Sequence, residues 1–333
     1  MVEEAPLVAE NSETQTLMKK NHTRDVHILS STFLLIFLAY GAVQNLESTF
    51  NTEDLGTISL GILYSSFMVF SFFASLVVRF LGTKNALVVG TTGCWLFIAA
   101  NLKPTWHTMV PASFYLGFSA SIIWVAEVQV HPLDLVRHFV VFDDVIRNVI
   151  GNFNGEFWVM FVGHQFVGNL MSLFLLNDGT GGTTSGSGIT LLHIVFICSM
   201  TLGTILMCLL QKRDAKGEET LPNSFVSFYS SMVSLSKSVM APLFDLRMLL
   251  IIPFIAYSGL QQAFVWAEYT KYIAEPALGE SGVGGAMAVY GAFDAICSLA
   301  RGRLTSGLKS ITLCWSFHSL NCTALASTEV QRN

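Results

Sequence analysis

Seven stretches of this 333-residue chain contain no Lys, Arg, Asp or Glu: residues 26–46, 56–78, 85–102, 104–126, 157–177, 179–211 and 248–267. Each is close to or above the roughly 20 residues that a helix rising ~1.5 Å per residue needs to cross a ~30 Å hydrocarbon layer. A water-soluble fold cannot hide so many uncharged stretches, so the chain is predicted to be an all-α polytopic membrane protein. A transmembrane barrel would instead show alternating segments of ~10 residues. Composition points the same way. Lys, Arg, Asp and Glu are 12% of the chain and the mean hydropathy is +0.55, whereas ordinary soluble domains carry about 25% charge.

The formal net charge of -5, with a pI near 5.9, argues against a nucleic-acid partner. Cys94, Cys198, Cys208 and Cys297 fall within expected spans, while Cys314 and Cys322 lie near the end; no disulfide framework or CxxC metal spacing emerges. The first 25 residues are polar, without the apolar core of a signal peptide, so the first span is expected to direct insertion.

Eight spans are expected at about 28–46, 58–78, 86–102, 108–127, 156–176, 189–210, 248–267 and 283–300. With the N-terminus inside, fifteen Lys and Arg fall in cytoplasmic segments, and only Lys103 and Lys271 in external loops. The positive-inside rule therefore places the N-terminus in the cytoplasm. The expected organisation is a cytoplasmic tail (1–25), a six-helix bundle (26–210), a cytoplasmic linker (211–247), a partial second bundle of two spans (248–310) and a tail (311–333). Phe225, Phe228, Met232, Leu235 and Val239 in the linker follow helical spacing, which suits an amphipathic surface helix as well as a loose connection.

Two internal echoes indicate a tandem repeat. AYGAVQN at 39–45 in the first span recurs as AYSGLQQ at 256–262 in the seventh. The second span leaves through Ser75, Leu76, Arg79, Gly82 and Lys84, the eighth through Ser298, Leu299, Arg303, Gly307 and Lys309. Span n thus matches span n + 6, the arrangement of parallel six-helix halves found in major facilitator transporters.

AYGAVQNLESTF (39–50), residues 59–81, FNGEFW (153–158), AYSGLQQAFVWAE (256–268) and residues 281–308 together resemble the Unc-93-like family, most of all its plant members. The resemblance covers about 28–127 and 149–311. It implies a major facilitator-type helical bundle, normally of twelve spans, of which about eight are recognisable here. It also implies a role in regulating ion channels, in potassium homeostasis, or in receptor trafficking. The pattern fades over 128–148 and stops after Ile311, so the chain is expected to be C-terminally truncated relative to the family, as an alternatively spliced transcript would be.

No enzyme constellation appears: the Gly-rich stretch 177–188 lacks the lysine of a phosphate loop, and the histidines show no HExxH spacing. No catalytic residue, metal site or cofactor is expected. The candidates are polar groups within spans, since these are costly in hydrocarbon and mark pathways or helix contacts. Gln44, Asn45 and Glu47 end the first span; Gln261, Gln262 and Glu268 do the same on the seventh. Asp294 is a formal charge well inside the eighth, and His164 sits at a matching depth in the fifth, where the resemblance implies that helices five and eight pack together. Arg79, Lys84, Arg303 and Lys309 occupy the cytoplasmic turn where major facilitators carry a gating motif, although positive-inside anchoring explains them equally well. Trp106, Trp124, Trp158 and Trp266, near span ends, read as interface anchors.

Three functions compete: a regulatory subunit that binds an ion channel or other membrane protein, a small-solute secondary transporter, and an inactive isoform. All share the lipid bilayer as partner. The scarcity of titratable groups in the spans favours the first.

Overall fold

The computed structural model describes residues 5–50, 55–130, 143–176, 186–210, 233–234, 237 and 241–304. Every long element among them is a helix: α1 (Ala5–Phe50), α2 (Leu55–Leu81), α3 (Thr83–Asn101), α4 (Trp106–Val130), α5 (Asp143–Leu176), α6 (Gly186–Cys208), α7 (Leu246–Ala263) and α8 (Glu275–Leu304). A short 3-10 turn, Ala241–Phe244, precedes α7, and a π-helix, Phe264–Ala274, joins it to α8.

The chain is an all-α polytopic membrane protein. Arg24–Glu47, Leu55–Leu81, Trp106–Glu127, Gly188–Cys208 and the 49-residue Met248–Ile296 are long and apolar enough to cross a membrane, and Met160–Leu176 is a shorter apolar helix. Eight spans were expected, so the span count is approximate. At ~1.5 Å per residue, a 49-residue segment is far longer than one crossing, and it is broken at Gly279. There the backbone adopts φ 74°, ψ 173°, a region open to glycine because it has no Cβ. The expected open loop between the seventh and eighth spans is therefore helical, turning at one residue.

The helical N-terminus is a second difference. Residues 1–25 read as an irregular tail, yet α1 is continuous from Ala5. Pro6 falls in the first turn, where its missing N–H costs nothing, and no glycine follows before Gly41. Likewise α5 begins at Asp143, well before the expected 156. Of the gap in the family pattern at 128–148, residues 128–130 end α4 and 143–148 open α5, whereas 131–142, the amphipathic pattern of the linker and the tail beyond Leu304 lie outside the described residues.

Glycines set the helix spacings, as in membrane bundles where small residues let backbones approach closely. A Cβ on Gly168 of α5 would overlap the Leu38 carbonyl of α1, and one on Gly117 of α4 would overlap Ser66 of α2. On α8, a Cβ at Gly284 would come 2.9 Å from the Leu173 backbone nitrogen, and one at Gly291 2.7 Å from Gln165 Cβ. Helices five and eight of the chain therefore pack together as expected. Between α1, α4 and α5 the core is aromatic: Phe37 and Phe161 lie 5.1 Å apart, Phe33 and Phe157 5.3 Å, Trp124 and Phe161 5.4 Å between ring centroids. Trp124, read as an interface anchor, is part of this core.

Candidate functional site

Along the last turns of α1 the polar residues divide between two faces. Tyr40, Gln44 and Glu47, spaced four and three apart, share one; Leu38, Gly41 and Asn45 share the other. All of 41–47 is buried.

The second face meets α5. Asn45 Nδ2 donates to Asn169 Oδ1 at 2.9 Å and to Gln165 Oε1 at 3.3 Å. Asn169 Nδ2 in turn donates to Gln165 Oε1 at 3.0 Å and to the Gln165 carbonyl at 2.6 Å. Gly168 permits this contact by bringing the helices together. Away from water such amide pairs hold helices in register, since separating them leaves donors unsatisfied. Gln165 and Asn169 escaped the sequence reading, though their four-residue spacing, continued by Ser172 after three more, marks one helical face.

His164 also lies on the α1 side of α5. Its Nδ1 is bonded to the Phe161 carbonyl, its ring is 4.6 Å from that of Phe161 and 5.9 Å from that of Phe37, and a Cβ at Gly41 would come within 3.1 Å of it. His164 is thus turned toward α1. Helix α8 meets α5 at Gln165, Asn169 and Leu173, whereas His164 is turned by about 100° from Gln165. Asp294 itself is half-buried on α8.

The first face meets α2 and the π-helix. Gln44 Nε2 donates to the Tyr64 hydroxyl, and the Tyr64 ring stacks on Trp266, with centroids 6.5 Å apart and planes 17° from parallel. The π-helix, with wider turns than an α-helix, carries Trp266 there, so this residue too does more than anchor an interface. Glu47 is 1% exposed, and among the described residues neither carboxylate oxygen accepts a hydrogen bond; the Trp266 indole N–H is likewise buried and unmatched.

The equivalent residues of α7 and the π-helix are arranged differently. Gln261 is half-buried, while Gln262 and Glu268 are exposed. At the α2–α3 turn, Gly82 (φ 76°) is the single connecting residue, its N–H bonded to the Val78 carbonyl at 2.9 Å and its carbonyl to the Ala86 N–H at 2.9 Å. Arg79 is exposed in the last turn of α2, where a cation suits the helix dipole, and Lys84 is half-buried at the start of α3. Arg303 falls in the last turn of α8; Lys309 lies outside the described residues.

A family profile described as "Ion channel regulatory protein UNC-93" matches residues 48–296. The chain is 60% identical over 318 residues to UNC93-like protein 3 of Arabidopsis thaliana, covering 93% of this chain and 66% of that protein. It is 30% identical over 319 residues to Protein unc-93 homolog A of Bos taurus, covering 86% and 68% respectively. To the Putative potassium channel regulatory protein unc-93 of Caenorhabditis elegans it is 28% identical over 326 residues, covering 86% and 45%. The chain thus spans about two thirds of the length of the plant and cattle proteins and under half of the nematode one.

Proposed function

The chain belongs to the UNC-93 family, and from that premise we propose that it is a non-enzymatic membrane subunit that tunes an ion channel and, through it, potassium homeostasis. The observation that carries this reading is the use made of the amides between α1 and α5. Asn45, Gln165 and Asn169 bond to one another, which suits a fixed scaffold better than a pathway in which these groups exchange partners with a solute. The name of the nematode relative, a putative potassium channel regulatory protein, supplies the channel and its ion. We also propose a cytoplasmic N-terminus, on the distribution of Lys and Arg, and a division of the membrane part into 26–210 and 248–310, on the sequence echoes.

Glu47 favours a second reading, transport of a small solute by alternating access, because a buried carboxylate with free acceptors is what a coupling site requires. Two measurements separate the readings. Co-expression with potassium channels in oocytes is expected to change current amplitude or voltage dependence. The purified chain in sealed vesicles is expected to give no potassium or solute flux. Flux from the chain alone would overturn the regulatory reading, as would unchanged currents across a panel of potassium channels.

A further inference from the structure

The clearest chemical imbalance in the molecule is at Glu47. A carboxylate removed from water and left without partners costs several kcal/mol, and such groups within membrane spans are paired or functional. The site offers the acid no hydrogen-bond donor or ion-pair partner among the described residues. Its own face of α1 carries Gln44 one turn earlier, bonded to the Tyr64 hydroxyl, and Tyr40 two turns earlier. Oxygen and aromatic faces dominate this list, and these are the groups that attract cations. Tyr64 is 39% exposed and Trp266, stacked on it, is half-buried. The chain of contacts from Gln44 through Tyr64 to Trp266 thus runs from the buried end of α1 to partly exposed rings.

We propose that Glu47, with Gln44 one turn earlier on its face and the Tyr64 hydroxyl bonded to Gln44, anchors a binding site for a small monovalent cation. The charge count selects the class. One carboxylate balances one positive charge, whereas a divalent ion would leave a net charge in a low-dielectric interior, and among the described residues no group of three or more acidic, Cys or His side chains exists to hold one. Two sources share this chemistry: an alkali metal ion held by oxygens, and a small ammonium held against the rings. The site stands apart from the regulatory reading, because cation binding is measured on the chain alone and channel tuning only beside a channel.

The test is cation-dependent stability of the purified full chain in detergent at constant ionic strength, with N-methylglucamine chloride replaced stepwise by potassium, sodium or methylammonium chloride. Any ligand that binds only the folded state raises the unfolding midpoint, and continues to do so logarithmically above its Kd. At least one of the three cations is expected to raise the midpoint saturably and to change Trp fluorescence, and the ranking of potassium and sodium against methylammonium identifies the source. Glu47→Gln is expected to abolish both responses and, without added cation, to melt above the unsubstituted chain. Tyr64→Phe, which keeps the ring and removes the hydroxyl, is expected to weaken binding several-fold. The proposal is overturned if no cation acts, if Glu47→Gln responds like the unsubstituted chain, or if acidification alone reproduces the stabilisation with no cation effect, which would make Glu47 a proton site. Should Glu47→Gln fail to fold, an unchanged affinity in Tyr64→Phe would overturn it equally.

Discussion

The same seven-residue pattern lies in two opposite environments. At 39–45 on α1, AYGAVQN is enclosed: Gln44 is 3% exposed, Asn45 0%, and Gly41 faces the His164 ring. At 256–262 on α7, AYSGLQQ is open: Tyr257 is 49% exposed, Leu260 72%, and a Cβ on Gly259 would meet nothing within 4 Å. Both lie on helices long and apolar enough to cross a membrane, so the difference comes from their neighbours. Helix α5 lies against the first copy with Gly168 at the crossing, and no described helix covers the second at that position. A sequence echo thus transmits a helix and its polar positions, while burial is decided by what the chain brings alongside.

The largest effect is expected where that enclosure is made. Gly168→Ala forces a Cβ onto the Leu38 carbonyl oxygen, and because that atom is backbone, α1 and α5 must separate. Overpacking usually costs 1–3 kcal/mol; a loss of about 3 kcal/mol is expected here, since the amide contacts from Asn45 go with it. Denaturant unfolding in detergent micelles measures it. A loss below about 1 kcal/mol would mean that the crossing is not as close as the structure has it.

This crossing also marks how far the sequence could be read. Stretches without charge announce helices in a membrane, because hydrocarbon excludes charge whatever the tertiary arrangement, and the polar residues ending the first span stand out against that background. Gln44, Asn45 and Glu47 were legible for this reason, and the structure encloses all three. Their partners were not. Gln165 and Asn169 are unremarkable amides within a long helix until Gly168 shows which face meets α1, and that requires the helix crossing. Direction was equally hidden: depth along a helix follows from counting residues, but the turn of His164 toward Phe37 and Gly41 of α1 does not. The helical N-terminus and the kink at Gly279 were missed for a third reason. Polarity and spacing suggest loops there, but good helix formers in the first case and a single glycine in the second suffice to keep the chain helical.

A smaller effect sharpens the comparison between the two amide positions. Asn45→Ala leaves Asn169 and Gln165 short of one partner, and a loss of about 1–2 kcal/mol is expected from the unsatisfied group, tempered by the modest worth of interhelical hydrogen bonds in membranes. Gln262→Ala, on the exposed copy, should stay within about 0.5 kcal/mol. Equal losses at the two positions would show that α7 is covered in the membrane by something that bonds to Gln262.

The glutamates give the next contrast. Replacing a buried, unbalanced charge by an isosteric amide removes its desolvation cost, so Glu47→Gln is expected to stabilise the chain by about 1 kcal/mol in buffer free of small cations. Exposed Glu268 has no such cost, and Glu268→Gln should leave the unfolding midpoint in place. Destabilisation by Glu47→Gln under these conditions would reveal a partner for the carboxylate and remove the imbalance on which the cation site rests.

The smallest expected effect compares one substitution in the two copies at adjacent rather than matching positions, since Gly41 corresponds to Ser258 and Gly259 to Ala42. In a helix interior alanine is favoured over glycine by roughly 0.5–1 kcal/mol, through the entropy glycine loses on folding. At Gly259 this gain meets no opposition, since the added methyl has nothing within 4 Å, and Gly259→Ala should stabilise by about 0.5 kcal/mol. At Gly41 the methyl would arrive 3.1 Å from His164 Cδ2 and Nε2, so the ring must move a few tenths of an ångström. It has little freedom to do so: Phe161 holds its Nδ1 through the backbone carbonyl, and its face lies against the Phe37 and Phe161 rings. The strain should outweigh the entropic gain, making Gly41→Ala a net loss of about 0.5 kcal/mol. The opposite signs of the two shifts are the prediction, and they are read from paired unfolding curves in one detergent. Shifts of the same sign would mean either that His164 yields freely or that the second copy is not open, and the double substitution of Gly41→Ala with His164→Ala distinguishes these, since removing the ring should turn the loss at Gly41 into a gain.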